Sequence, residues 1–183
     1  MRPNPRHDPH RLDVADAAAQ AVELQGRWPL AELPRLAADH PTDAPALAGD
    51  VAWSAHAHTR QGTGGAPEVW LQLSAQAAVL RTCQRCLQPL ALPLAVDRKL
   101  RFVPGEDAAA ALDADSDDDV LALEPQLDLL QLVEDELLLA LPLVPRHEAC
   151  PEPLPHRAGT ESVEAAAHPF ASLAALKPGS GRH

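Results

Sequence analysis

The chain of 183 residues has no tyrosine, two phenylalanines, three tryptophans and one methionine, so aromatics make up only 3% of it. A core on that composition must be built from leucine, valine and alanine, with Trp28, Trp53 and Trp70 as its few large anchors. Cysteine is scarce and odd in number, three in all, which argues against a disulfide framework and fits a reducing compartment. Basic residues are outnumbered, 15 against 26 acidic ones, and the net charge is −11. A chain so acidic is repelled by phosphate backbones, which disfavours a broad nucleic-acid surface. The longest apolar run, 137–141, is far short of the ~20 residues that span a bilayer. The first residues lead into no apolar segment of the secretory kind. These absences together point to a cytoplasmic protein with no membrane contact.

What the chain does have is proline, nineteen in all, concentrated near the N-terminus, at 29–45 and at 142–155. Helices and central strands are discouraged there. Between these segments the apolar pattern is regular. Val51, Trp53, Ala55 and Ala57 alternate with Ala52, Ser54, His56 and His58. Val69, Leu71, Leu73, Ala75, Ala77 and Val79 continue the period of two, and so do Leu90, Leu92, Leu94 and Val96. Each run predicts a strand with one buried face, and the short connections predict an antiparallel meander of three. Upstream, a short helix over 14–21, a strand over 21–28 and a helical turn over 32–39 are expected.

The best helix is 126–141, where Leu127, Leu130, Val133, Leu137, Leu138 and Leu141 fall at helical spacing and Pro142 stops the chain. Three consecutive acids, Glu134, Asp135 and Glu136, spread over most of its circumference, so at least one should meet another element, with a sheet arginine as the natural partner. The 105–119 stretch is alanine and aspartate with few large apolar residues, and it predicts a mobile acidic loop. A short strand at 120–123 is expected after it. The fold class is therefore α+β: an antiparallel β-meander packed against a long helix, with mobile acidic and Pro-rich loops. One domain over 12–177 is expected, with disordered tails at 1–11 and 178–183, a short helix over 162–167, and Phe170, Leu173 and Leu176 docking the C-terminal segment.

Two pairs of soft ligands stand out. Cys83 and Cys86 lie three positions apart between two strands, and His147 and Cys150 repeat that spacing just past the helix. Four such side chains are what a tetrahedral zinc site needs, because thiolate and imidazole suit a soft metal and one tight turn can aim both members of a pair at one point. The alternatives are a hairpin turn with reduced thiols and a redox CxxC. A redox motif draws its reactivity from a helix N-terminus, and here the motif sits between strands.

Arg81, Arg85, Arg98, Lys99 and Arg101 face only Asp97 in their stretch. They are possible phosphate contacts, or else solvated strand faces. His56 and His58 share a strand face with Ser54, at about 6.6 Å per two residues, too far apart for a nucleophile and its base. No paired carboxylates or phosphate-cradling glycine loop are present, and no small-molecule substrate is expected.

Three blocks taken in order resemble one family. They are Cys83-Gln84-Arg85-Cys86; then Leu127 to Leu130, Val133 to Leu137 and Ala140 to Pro145 with His147; and last Pro169 to Lys177. In content and order the chain resembles the bacterial YceD family, the large ribosomal RNA subunit accumulation proteins. Upstream the likeness thins to Gln25-Gly26 and the residues just after that pair. The resemblance implies a non-catalytic role in synthesis, processing or stability of the large-subunit (23S) rRNA, exerted through a large-subunit ribosomal protein or a pre-ribosomal particle. Direct rRNA contact by the five basic residues is the rival, and a thiol oxidoreductase the second rival. Relatives richer in cysteine after the helix favour a metal at His147 and Cys150. The alanine-rich acidic stretch and the prolines after Cys150 depart from the family pattern.

Overall fold

The structure, a computed structural model, describes residues 7–42, 44, 49–62 and 65–152. The chain divides into two units, Met1–Cys150 and Pro151–His183, and every helix and strand described lies in the first. The expected helix at 162–167, the docking of Phe170, Leu173 and Leu176, and the 178–183 tail fall outside the described residues.

Five strands form one sheet in the order β1 (Glu23–Pro29), β2 (Asp50–Gln61), β3 (Pro67–Thr82), β4 (Pro89–Val103) and β5 (Asp119–Ala122). The first four are antiparallel neighbours, and β5 runs parallel to β4. The predicted meander of three is thus the centre of a wider sheet. A parallel neighbour needs a crossover, and helix α3 (Glu106–Ala114) makes it. This corrects the reading of 105–119 as a mobile loop. Ala109 of α3 packs on Val103 and Val120, so small side chains suffice where a helix need only cover a sheet edge.

The opposite face of the sheet carries the main core. Val51, Trp53, Leu71, Leu73, Val79 and Leu100 are buried beneath α1 (Val14–Ala19) and α4 (Leu129–Leu139). Leu129, Val133 and Leu137, four apart, form the apolar stripe of α4 and are fully buried. Helix α4 is shorter than predicted because Asp128 caps it, its carboxylate accepting from the Leu130 amide at 2.9 Å. Leu127 is drawn instead into a bridge with Leu12, each amide donating to the other's carbonyl at 2.8 Å. The same bridge corrects the disordered tail at 7–11. His7 is buried, and the Leu129 amide donates to the Pro9 carbonyl at 2.8 Å.

The acid triplet of α4 is used in full. Glu136 meets a sheet arginine, Arg98 of β4, at 2.8 Å, as predicted. Glu134, 4% exposed, accepts from the backbone amides of Arg35 and Leu36 at 2.7 and 3.0 Å, and from the Arg35 side chain at 2.8 Å. Asp135 holds the same guanidinium. Helix α2 (Pro34–Ala38) is too short to stand alone, and α4 thus caps its first amides.

At the sheet edge, Trp28 of β1 stacks on Trp53 of β2 with ring centroids 4.3 Å apart. Gly26 lies against the same indole: a Cβ there would stand 3.0 Å from Trp53 Cζ2. That close approach is a physical reason for glycine in the Gln25-Gly26 pair. Among the described residues no helix is long and apolar enough to cross a membrane.

Candidate metal centre

The β3–β4 hairpin closes over Cys83 to Gln88. The Cys83 amide donates to the Gln88 carbonyl and the Leu87 amide to the Cys83 carbonyl, both at 2.9 Å. Leu87 takes a left-handed conformation, φ +61°, to complete the turn. This is the tight loop the CxxC spacing asks for, and it brings Cys83 and Cys86 to one side.

The second pair arrives from the far end of α4. Pro142 prevents the helix from continuing, and the chain runs back across the hairpin tip, where the Gln84 amide donates to the Pro145 carbonyl at 2.8 Å. His147 and Cys150 then face the two hairpin thiols. The ligand atoms of Cys83, Cys86, His147 and Cys150 all lie within 4.8 Å of one another. His147 Nδ1 is 3.4 Å from Cys86 Sγ, and the His147 amide is 3.4 Å from Cys83 Sγ. Zinc–sulfur bonds of about 2.3 Å in a tetrahedron put neighbouring sulfurs about 3.8 Å apart. The donor set and its spacing therefore fit a metal, and the Cys3His group can hold one.

Charge around the site follows the same logic. Burial works against ionising Cys83, but amide donors from Cys86, His147 and Arg85 outweigh it and bring the thiol down to about 5. Cys86 moves the other way: its Gln88 amide contact favours the thiolate, yet burial and the neighbouring Cys150 and Cys83 sulfurs prevail and raise it. Arg85 donates to Cys150 Sγ at 3.1 Å and to the His147 and Glu148 carbonyls at 2.7 and 3.2 Å. That contact with the Cys150 sulfur raises the Arg85 guanidinium above its ordinary value. One arginine of the CQRC segment thereby ties the second ligand pair to the first.

A lowered thiol serves a nucleophile and a metal ligand alike, so exposure separates them. Reactive cysteines are partly exposed, and Cys83 is 0% exposed. The geometry is that of a ligand.

The five basic residues do not form one surface. Arg81 is buried, donating to the Leu80 and Leu36 carbonyls at 2.9 and 2.7 Å, and burial lowers its pKa. Arg85 belongs to the cysteine cluster. Arg98 is held by Glu136, and Arg101 by Glu68 at 2.8 Å. Lys99 stands exposed on β4. His56 and His58 stack on each other with centroids 5.0 Å apart, and Ser54 lies 3.3 Å from Ser74 across the strands.

Sequence reasoning placed the four soft ligands and missed the roles of Arg85, Arg35 and Glu134. An arginine inside a CxxC turn was the available signal for the first. Nothing in the local sequence marks Arg35 as the partner of an acid 99 positions away.

Residues 71–177 match the family model described as large ribosomal RNA subunit accumulation protein YceD. The chain belongs to the YceD family. The match begins within β3 and takes in the hairpin turn, α4 and both ligand pairs. No curated protein and no solved structure matches the chain.

Proposed function

We propose that this chain is a non-catalytic factor of large-subunit ribosome biogenesis in the cytoplasm, supporting accumulation of the large-subunit (23S) rRNA through contact with a ribosomal protein or pre-ribosomal particle. The observation that carries the reading is the family match over 71–177. Its physical support is a rigid corner without a reaction centre. The Cys3His group holds zinc as a structural ion, with three thiolates and an imidazole as ligands and Arg85 offsetting the residual negative charge. Around that corner Leu87, Leu139, Leu143 and Val144 project into solvent. Apolar side chains held on a fixed turn suit a protein partner. The net charge of −11 favours basic ribosomal proteins by electrostatic steering.

Direct rRNA contact through the five basic residues draws less support, since Arg81, Arg85, Arg98 and Arg101 are engaged with the protein's own acceptors. Affinity capture with and without ribonuclease tests the choice. A large-subunit ribosomal protein retained after ribonuclease supports the protein contact, and loss of every partner on digestion contradicts it. Deleting the gene is expected to lower large-subunit rRNA relative to small-subunit rRNA.

A further inference from the structure

A second site lies at the end of the inner layer. A cavity of about 470 Å³ opens between the last residues of β3, the C-terminal end of α2 and the segment after α4. One wall is polar: Asp39, His40, Arg81, Thr82 and Gln84. The other is apolar: Pro41, Leu141, Pro142, Leu143 and Pro145.

Arg81 is the unusual member. It is 5% exposed, and its two guanidinium hydrogen bonds go to neutral carbonyls, those of Leu36 and Leu80. Among the described residues it forms no ion pair, and the carboxylate that acts on it, Asp39, is exposed and screened. A buried cation without a bonded counter-ion is unfavourable, and two carbonyls use only part of its five N–H groups. Capping the end of α2 would need no charge so deep, because neutral donors close helix ends equally well. The arrangement attracts one negative charge. It resists a second, because Asp39 repels it and the opposite wall is apolar.

We propose that this cavity binds the terminal carboxylate of a peptide whose last side chain is aliphatic. The carboxylate meets Arg81, with the Thr82 hydroxyl and Gln84 amide beside it, and the side chain lies on Leu141, Leu143 and Pro145. The cavity is many times the volume of a phosphate ion and falls in the range of ligand pockets. The chain's acidity works against a polyanion such as RNA entering here, because the charges flanking the bound one would face a negative molecule.

The test is a nuclear magnetic resonance titration of the full-length protein, following the Arg81 Nε–Hε signal and the Thr82 and Gln84 amides. Three probes are compared: N-acetyl-Gly-Ala-Leu with a free carboxylate, the same peptide as its C-terminal amide, and inorganic phosphate. The free acid is expected to give saturable shifts at all three positions, and the amide and phosphate about tenfold weaker binding or none. Arg81→Gln should lose the response. Leu143→Ser changes a wholly exposed side chain, 102% of its reference area, so it leaves the fold intact and should weaken the acid. No saturable shift at Arg81 in the wild-type protein would overturn the assignment, and so would equal binding of acid and amide. Phosphate binding as tight as the peptide would overturn it as well. If Arg81→Gln fails to fold, the wild-type titration and Leu143→Ser decide the matter.

Discussion

Two regions of this molecule are held together by different physics. The sheet and α4 meet through a continuous apolar layer, in which Leu71, Leu73, Leu100, Leu129, Val133 and Leu137 are all at most 1% exposed. The corner after α4 has almost none of that. Leu143 and Val144 face solvent, and the 142–150 segment is fixed by the Gln84–Pro145 hydrogen bond, by Arg85 and by four soft side chains. Burial is diffuse and tolerates loss contact by contact. A ligand cluster is local, and removing one member frees the others. The core should therefore fail globally and the corner locally.

The largest effect is expected in the core. Leu137→Ala removes a fully buried side chain from the α4 stripe and should lower unfolding free energy by about 2–5 kcal/mol in a denaturant melt. Next comes the joint between α2 and α4. Glu134→Ala strips the acceptor from two amides of α2 and should cost about 2–3 kcal/mol, and Asp135→Ala, on the exposed side of the same arginine, far less. At the sheet edge, Gly26→Ala pushes a Cβ against Trp53 and should cost about 1–3 kcal/mol, visible as a change in the tryptophan environment by near-ultraviolet circular dichroism. The corner gives the smallest global change and the sharpest local one. Cys150→Ser or a strong chelator should raise amide exchange over 141–150 and at Cys83 to Leu87 while β2, β3 and α4 keep their protection. If the chelated protein instead lost its whole sheet, the division between the two regions would be wrong.

Acid sharpens the same contrast. The folded Cys83 thiol lies at about 5, below its ordinary value, so in metal-free protein its ionised form favours the folded corner fully above the usual thiol range. That contribution is lost as the pH falls through about 5. Thiolate absorbance in the ultraviolet should persist well below the pH at which a free cysteine loses it, and Cys86, shifted the other way, should not share that persistence.

The core was legible in the sequence because burial imposes a period. Alternation from Val51 to Val96 marked three strands, and the spacing of Val133 and Leu137 marked α4. The ends were not, because they depend on partners. Leu127 looked helical until Leu12 paired with it. The alanine-aspartate stretch looked unable to fold because its apolar content is low. Yet Ala109 needs to cover only Val103 and Val120, and Asp113 accepts from the Val120 amide at 3.0 Å to fasten the helix to β5. In the candidate site, spacing within each ligand pair was visible, while the meeting of the pairs rests on the return of the chain after Pro142. Arg81 and Arg85 looked like surface charge and are structural, because a strand's period of two does not tell whether its end residue faces solvent or a neighbouring element.

The most direct test is the metal content of untagged, natively purified protein. About one zinc per chain is expected, reduced in Cys83→Ser and Cys150→Ser proteins that still fold. A wild-type sample carrying less than about a tenth of an equivalent, with an unchanged exchange pattern over 141–150 after chelation, would contradict a metal-held corner.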